Sequence, residues 1–486
     1  MLNKKYWILL IVVTIIAIFP RALEVFNPYN YFFNPEQGIE YLVTKSIVVD
    51  HQVVLTAHQG GFGDFFKGPG FNYLLTIPFI LTSGDPFGGR LMMLVISVLT
   101  VPFAFIFSNR MFGLKTASLI SFLLAVSPNL KDYAGGISPP FVMPLLTVLF
   151  IYFLFMAFHG HKKYIPLLIF IVGLMTHFEM AAAGILLTLL ILTGLVCLAK
   201  KTIPYRYYLL SIGSFALAVL PLIVFDIKND FYNVNGVVKM IDTGKTQASN
   251  SLLSDLGNLI SNRIDVFAWN FISTFSPNLT IWLLVLIIFL FGVFLFARNR
   301  KVPRKEKIFV SYLGLIPVFS FLFLIIYPGN VINQWWIIYL TIIYCFLLGI
   351  VLNYLWKYSK IRLLIVFTLF VLSLAFLNRT IFIYKTQFIY PPDTYIKEDS
   401  AIKYIFRNSK VKPFGIVVLS ARAQENYDYL IWWNGRKYNY QPYRIPKKTY
   451  YTIIEPNITY SSDKTPGVLI ESKKMQNGFI IEKRIN

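Results

Sequence analysis

Two glutamates four residues apart, Glu36 and Glu40, stand in the polar segment FNPEQGIEYLVTK, which follows the first apolar run of the chain. Carboxylates are among the side chains that take protons in catalysis and bind cations. If this segment begins a helix, the two carboxylates share one face, since residues at i and i+4 do so. Glu36 also follows Asn34 and Pro35, a pattern typical of a first helical turn, where a carboxylate simply complements the helix dipole.

Two cations flank a short apolar run in the same region. Lys67 follows the Gly-rich stretch HQGGFGDFF, and Arg90 opens the second long apolar run. Lys67 also has an ordinary interpretation, in which its stem lies along the membrane interface and its ammonium group reaches water. The run between the cations, 71–81, is too short to cross a bilayer and contains Pro78. We therefore predict that it lies along the membrane surface.

Three further ionisable residues stand at the ends of apolar runs. Asp132 lies in the short segment NLKDYAGG, where pairing with Lys131 or with solvent is the alternative to a functional role. His177 and Glu179 lie in MTHFEMAA, between two apolar runs, where ionisable groups are costly. For these two, a packed hydrogen-bonded pair and a substrate contact remain equally open.

The composition indicates whether these residues belong to a soluble or to a membrane protein. Of the 486 residues, 56% are hydrophobic and only 14% are charged, far from the average of soluble proteins. Apolar runs of membrane length recur along the chain and predict an all-α polytopic membrane protein with about eleven transmembrane helices. The predicted spans are 6–20, 90–108, 117–126, 141–158, 165–176, 181–199, 207–225, 281–297, 308–327, 335–356 and 363–377.

The distribution of charge orients these spans. The net charge of +22 could suggest nucleic acid, but the cations cluster in alternate breaks between the spans, such as ARNRKVPRKEK. By the positive-inside rule these breaks are cytoplasmic, so the cations are explained by membrane topology. We therefore predict membrane lipids as partners, and no nucleic acid. An odd number of spans then places the N terminus in the cytoplasm and the C terminus outside, with the plasma membrane as the expected location.

Segments outside the spans define the expected domains. We predict a transmembrane domain over 1–383, with a first outer loop at 21–89 and a second large outer loop at 226–279, where an amphipathic helix is expected near 252–264. Helix-like and strand-like stretches alternate along 384–486, in the order KEDSAIKYIFRNSK, FGIVVLS, AQENYDYLIWW, TYYTIIE and GFIIEKR. This alternation predicts a small C-terminal α/β domain on the outer face.

The order of these motifs resembles the GT-C class of integral membrane glycosyltransferases. The resemblance covers about the first 199 residues and rests on an acid-Gln-Gly motif after the first span, a Lys before a Pro and an aromatic stretch, then GRLMMLVISVLTVPFAFIFSNRMFG and AVSPNLKDYAGGISPPFVMPLLTVLFIYFL. Relatives in this class include polyprenyl-phosphate-mannose protein mannosyltransferases and aminoarabinose transferases of lipid A. The class usually has Asp at the position of Glu36, and its Asn-Pro-Asn appears here as Ile137, Ser138 and Pro139.

The resemblance implies an inverting transfer of a sugar from a polyisoprenyl phosphate to a lipid, glycan or protein acceptor on the outer face. Such a transfer needs a base for the acceptor proton and cations for the departing phosphate. On this interpretation Glu36 is the base, and Lys67 and Arg90 bind the donor phosphate. Glu40, Asp132, His177 and Glu179 are then candidate substrate or metal contacts, while Gly60, Gly61 and Gly63 would let the backbone approach a phosphate.

A transporter or flippase of a lipid-linked glycan remains the alternative, since it shares the many spans and the cationic contacts to lipid phosphate. Transporters tend to place essential charge near the bilayer midplane and to contain paired broken helices. The acids of this chain gather in an outer loop, which favours an enzyme. The sequence identifies neither the sugar nor the acceptor, and it neither requires nor excludes a divalent metal as a cofactor.

Overall fold

A computed structural model describes residues 4–27, 31–59, 65–246, 252–276, 278–327, 332–386, 395–409, 412–445, 448–456, 458 and 466–486. These residues form nineteen α-helices, four short strands and several 3-10 turns. The helices are α1 (Lys4–Val25), α2 (Pro35–Val48), α3 (Gly70–Leu81), α4 (Pro86–Phe112), α5 (Leu114–Ala125), α6 (Pro128–Asp132), α7 (Met143–Phe158), α8 (Tyr164–Met175), α9 (Met180–Ala199), α10 (Tyr205–Ala218), α11 (Leu220–Lys228), α12 (Tyr232–Thr246), α13 (Leu252–Phe275), α14 (Leu279–Arg298), α15 (Arg304–Ile326), α16 (Tyr339–Leu355), α17 (Ser359–Thr386), α18 (Tyr395–Asn408) and α19 (Glu425–Lys437). The strands are β1 (Gly415–Leu419), β2 (Thr449–Ile454), β3 (Val468–Lys474) and β4 (Ile480–Ile485).

Each of the eleven predicted spans coincides with helical structure. In the part of the chain that the structure describes, seven helices are long and apolar enough to cross a membrane, and α10 with α11 forms an eighth candidate bent by 70°. The helices α5, α8 and α16 are apolar but shorter. The run that we expected at the membrane surface forms the short apolar helix α3; its depth in the bilayer stays a prediction.

The described chain divides into two compact units. The first unit comprises Met1–Glu24, Val54–Phe71 and Met93–Phe382, and it contains most of the apolar helices. The second comprises Val25–Val53, Asn72–Met92 and Ile383–Asn486. The tail expected as a separate domain from 384 therefore forms one compact unit together with two segments of the region predicted as the first outer loop.

Helix α16 is the central helix of the first unit. Almost every residue of α16 is buried, and the helix packs against α5, α7, α13, α14 and α15. A Cβ added at Gly349 would lie 3.1 Å from the backbone nitrogen of Ile120 in α5, so the lack of a side chain allows these two helices to approach closely. Buried polar groups also join helices here, since Thr341 accepts from Asn129 Nδ2 at 2.8 Å.

Arg21 ties the first helix to its neighbours in the same unit. Its guanidinium is fully buried and donates to the carbonyl oxygens of Leu124 and Ala125, each at 3.0 Å, and to Ser97 Oγ at 3.0 Å. It also donates to Ala17 O one turn earlier in α1. A buried charge is tolerable only when its donors are satisfied, and these four acceptors meet that condition.

The second unit is built around a four-stranded sheet with the order β1-β2-β4-β3. β1 and β2 are parallel and are connected through α19, whereas β4 pairs antiparallel with both β2 and β3. The predicted C-terminal α/β fold is therefore confirmed. β3 was not predicted, because its residues are exposed along its whole length and show no apolar alternation.

The second large loop also contains more helix than we expected. The amphipathic helix predicted near 252–264 continues to Phe275 as α13, and α12 precedes it in the same loop, whereas most of α11 lies in the predicted span 207–225. Apolar residues are interspersed with polar ones in α12, so the pattern is weaker than that of a membrane span, and Val234, Val237 and Val238 are exposed.

Candidate active site

Helix α2 carries the two glutamates of the opening segment. Asn34 caps the helix, since its Oδ1 accepts from the backbone nitrogen of Gln37 at 3.0 Å, and Pro35 occupies the first turn. The predicted helix is therefore present, and Glu36 lies in its first turn with an exposed side chain. Glu36 is thus accessible to a ligand, and it also lies where a carboxylate complements the helix dipole.

Glu40, one turn further along α2, is in a different environment. Its side chain is buried, and Oε2 accepts from Asn72 Nδ2 of α3 at 2.6 Å. The same amide nitrogen donates to the carbonyl oxygen of Glu40 at 3.2 Å. The two glutamates share one side of the helix, but only Glu36 faces solvent. Glu40 fixes α3 to α2.

Arg90 belongs to the same unit as the two glutamates. Its side chain is buried, donates to the carbonyl oxygen of Asn27 at 3.2 Å and lies 4.8 Å from the ring centroid of Tyr31. Tyr41 of α2 holds the start of α4, since its hydroxyl donates to Pro86 O at 3.0 Å and accepts from Gly89 N at 2.9 Å. Helix α2 therefore helps to position Arg90. Arg90 also lines a cleft in this unit.

His177 lies in the first unit, against the turn that follows Lys67. Its Nδ1 accepts from the backbone nitrogen of Gly70 at 3.2 Å, and its Nε2 lies 2.8 Å from the carbonyl oxygen of Ala218. This pattern requires a neutral imidazole with its proton on Nε2. A Cβ at Gly68 would lie 2.1 Å from Nδ1, so only glycine fits beside the ring. His177 therefore fastens the Lys67 turn to the break between α10 and α11.

Glu179 interacts with Lys67 in the same unit, which brings together two predicted site residues from distant parts of the sequence. The glutamate is buried at the start of α9, where Oε1 accepts from the backbone nitrogen of Ala181 at 3.3 Å. Burial raises the pKa of Glu179 to about 7, although the charge of Lys67 and the bond from Ala181 oppose the shift. Lys67 is half-buried, and its carbonyl oxygen accepts from Ala57 N at 2.8 Å.

Asp132 forms ion pairs in the first unit with Lys131 at 3.2 Å and with Arg379 of α17. Lys131 is buried and also lies 3.4 Å from Glu24. The neighbour Lys131 was expected as a partner, but Arg379, 247 residues away, could not be read from the segment itself. These ion pairs hold α6 to α17, which gives the carboxylate of Asp132 a structural role.

The structure thus places Lys67, Asp132, His177 and Glu179 in the first unit, and Glu36, Glu40 and Arg90 in the second. Gly60, Gly61 and Gly63 lie outside the described residues. In the described part of the chain, no three His, Cys, Asp or Glu side chains are grouped so that they could hold a metal ion.

Sequence comparison identifies no relative: no family model matches the chain, and no curated protein matches it. Structural comparison does identify similar proteins. ArnT from Cupriavidus metallidurans, in a crystal structure bound to undecaprenyl phosphate, superimposes with a TM-score of 0.66 at 11% identity over 99% of this chain and 98% of that one. The apo state of the same ArnT gives 0.63 at 10% identity with the same coverage.

A third similar structure is the apo form of the oligosaccharyltransferase from Archaeoglobus fulgidus. It has a TM-score of 0.50 at 15% identity and covers 88% of this chain but only 64% of that longer protein. The likeness to ArnT extends over almost the whole length of both chains, so it includes the tail as well as the apolar helices. The chain therefore has the fold of the GT-C class of integral membrane glycosyltransferases.

Proposed function

We propose that this protein is an inverting glycosyltransferase that moves a sugar from a polyisoprenyl phosphate to an acceptor on the outer face of the membrane. The proposal depends chiefly on the fold match over 99% of the chain to an ArnT whose structure contains undecaprenyl phosphate. The lipid in that structure has the chemistry of the product that the proposed transfer would release. The acceptor is a lipid, a glycan or a protein.

Glu36 is the proposed general base. The carboxylate takes the proton from the acceptor hydroxyl, whose oxygen attacks the anomeric carbon of the donor sugar while the bond from that carbon to the phosphate oxygen breaks. Attack from the face opposite the leaving group inverts the anomeric carbon. The exposed position of Glu36 at the start of α2 supports this role, since a base must reach its substrate.

Lys67 and Arg90 are the proposed groups that neutralise the donor phosphate as its negative charge develops. Arg90 is held in place by Asn27 and Tyr31, so its guanidinium needs little reorganisation when a phosphate arrives. Lys67 is held through the turn that His177 fastens. Of the remaining candidates, Glu179 acts on the substrate indirectly, through its interaction with Lys67. The other three, Glu40, Asp132 and His177, act as positioning residues.

The topology belongs to the same proposal. With eleven spans and the basic breaks in the cytoplasm, the N terminus is cytoplasmic and the second unit faces the outside of the plasma membrane. A donor that has already crossed the membrane on a lipid carrier suits this side, since nucleotide sugars are cytoplasmic.

A transporter or flippase of a lipid-linked glycan is the second candidate, and one observation favours it. Helices α10 and α11 form a broken pair bent by 70° after Ala218, which is the kind of interruption that transporters use near their binding sites. In the described residues this break has no counterpart of the same kind, whereas transporter breaks come in pairs.

One experiment separates the two candidates. Purified protein is incubated in detergent with a panel of polyisoprenyl-phosphate sugars and with lipid, glycan and peptide acceptors, and free polyisoprenyl phosphate and glycosylated product are measured. The enzyme proposal expects both to accumulate in equal amounts. If neither forms while proteoliposomes move a lipid-linked sugar between leaflets, the transporter becomes the better account.

A further inference from the structure

The second unit contains a cleft of about 470 Å³ that includes Arg90, a size typical of small-molecule sites. We call it the Arg90 cleft. Its polar and charged walls are formed by Asp85, Arg90, Asp399, Lys403 and Lys437, with Trp433 among its aromatic residues. Asp399 and Lys403 lie on α18, and Trp433 and Lys437 lie on α19, so the tail contributes most of these groups.

The charges of the cleft are held in defined places. Asp399 is buried, accepts from Asn434 Nδ2 at 2.8 Å and forms an ion pair with Lys403. The ammonium of Lys437 lies 3.4 Å from the centroid of the Trp433 ring. Among the described residues that line the cleft, three cations including buried Arg90 stand beside two carboxylates, an excess of positive charge that suits an anionic ligand.

Aromatic rings supply a second kind of surface in the cleft. Tyr31 and Tyr395 have ring centroids 4.6 Å apart, and the backbone nitrogen of Tyr395 donates to Tyr31 O at 2.8 Å. Burial raises the pKa of both phenols, and Tyr395 also forms a side-chain hydrogen bond with Asp85. A sugar ring has an apolar C–H face and a rim of hydroxyl groups, and it is matched by aromatic faces beside carboxylates and ammonium groups.

We infer that the Arg90 cleft binds a saccharide that carries a negatively charged group, with Lys403 and Lys437 of the tail among its direct contacts. Arg90 and the two lysines would face the anionic group, and Asp399 and the aromatic side chains would face the sugar ring. The tail then contributes residues to a substrate site within the second unit.

This inference rests on the proposed function, since it names the class of substrate that the transferase recognises. Two sources have the required chemistry: the head group of the donor, which is a sugar phosphate, and an acceptor glycan that carries phosphate or carboxylate. The cleft holds roughly one or two sugar units at its volume, which suits either source.

Binding to the full-length purified protein tests the inference without any turnover. The probes are the 1-phosphates of common hexoses and pentoses, their uronic acids, the uncharged methyl glycosides and inorganic phosphate, each titrated by calorimetry. The variants are Lys403→Met and Lys437→Ala. The matched control is Lys412→Ala, because Lys412 is also exposed over an aromatic ring, Tyr440 at 4.9 Å, but does not line the cleft.

We expect at least one charged saccharide to bind more tightly than its methyl glycoside and than inorganic phosphate. Each cleft variant should weaken that binding about tenfold, as charged hydrogen bonds do, and added salt should weaken it further. Lys412→Ala should bind as wild type does. The inference is overturned if no charged saccharide binds, if the methyl glycosides bind equally well, or if the cleft variants match the control.

Competition identifies the source of the ligand. Displacement of the bound probe by a polyisoprenyl-phosphate sugar, but not by polyisoprenyl phosphate alone, assigns the cleft to the donor head group, and displacement by an acidic acceptor glycan assigns it to the acceptor. Binding without any transfer activity would refute the proposed function and leave this inference standing. Normal transfer by a Lys403→Met, Lys437→Ala double variant would refute this inference and leave the proposed function standing.

Discussion

Nδ1 of His177 lies 3.2 Å from the backbone nitrogen of Gly70, the first residue of α3, and it accepts a hydrogen bond from it. The other ring nitrogen donates to the carbonyl oxygen of Ala218. A protonated imidazole would lose the bond from Gly70, because both of its nitrogens would be donors. The contact therefore couples the Lys67 turn to the charge state of one histidine.

The first prediction concerns the pH dependence of stability at His177. Burial lowers its pKa below the ordinary value, although the bond to Ala218 opposes the shift. Its contribution to stability is therefore present in full above about pH 6.5 and is lost as the pH falls towards the lower folded pKa, because the unfolded chain binds the proton first. The thermal midpoint of His177→Gln should change less between pH 7 and pH 5 than that of wild type. At pH 7 the variant should have the lower midpoint. An identical pH dependence in both proteins would contradict the assignment.

The second prediction concerns Glu179, whose pKa burial raises to about 7 against the attraction of Lys67. A raised carboxyl pKa means that the stabilising protonated form is fully present below the unfolded pKa of about 4.5 and is lost as the pH rises through about 7. Glu179→Gln should therefore raise the thermal midpoint at pH 8 and leave it nearly unchanged at pH 4.5. Lys67→Met should have the opposite effect at pH 8, since it removes the cation that favours the carboxylate. Equal midpoints for all three proteins at pH 8 would argue against the buried pair.

Local patterns predicted the elements well, for a physical reason. A membrane span needs a long apolar run, so each of the eleven runs coincides with helical structure, and the acid-led segment with Asn34 as cap forms α2. Strand β3 was not predicted because it is exposed at the sheet edge, and α12 was not predicted because its apolar residues are interspersed with polar ones.

The partners of the candidate residues could not be predicted in the same way. Glu40 is hydrogen-bonded to Asn72, Lys67 interacts electrostatically with Glu179, and Asp132 forms an ion pair with Arg379. The two members of each pair are distant in sequence and come together only in the folded chain. The i, i+4 spacing of Glu36 and Glu40 placed both on one side of α2, yet packing of α3 covers only the second. The sequence pattern did not mark the lysines of the Arg90 cleft as binding residues. In sequence, Asp399 and Lys403 have the i, i+4 spacing of an ordinary ion pair on a solvated helix.

The third prediction compares two buried arginines. Arg90→Ala should lower turnover by about 10² to 10³, because in the proposed mechanism Arg90 is a cation that steadies the leaving phosphate. Arg21→Met serves as the control, since Arg21 donates to backbone carbonyls and Ser97 and has a structural role. That variant should lower the thermal midpoint but retain turnover per folded molecule. Donor binding measured alongside turnover separates the two effects, and an Arg90→Ala enzyme with normal binding and turnover would leave this arginine only a structural role.

The fourth prediction concerns topology. A reporter that is active only in the cytoplasm should be silent when fused after Asn486 and active when inserted after Arg300, in the basic segment between α14 and α15. The two fusions control for expression, since both carry the same reporter. Activity at Asn486 would place the second unit in the cytoplasm and remove the outer-face transfer from the proposal.

The last prediction returns to the two glutamates of α2, which form a matched pair because they differ in exposure within one helix. Glu36→Gln keeps the size of the side chain and removes its charge, so turnover should fall by about 10² to 10⁴, the range expected for loss of a general base. Folding should barely change, since an exposed first-turn carboxylate contributes only about 0.3 to 1 kcal/mol through the helix dipole. Glu36→Asp should keep partial activity at its shorter reach.

Glu40→Gln should show the reverse pattern. Its amide can still accept from Asn72, but the charge-assisted bond at 2.6 Å becomes a neutral one, so the thermal midpoint should fall while turnover per folded molecule declines only modestly. Measuring both quantities for both variants decides the assignment. If Glu40→Gln abolishes transfer in a stable protein while Glu36→Gln transfers normally, the base is Glu40, and the exposed glutamate serves the helix alone.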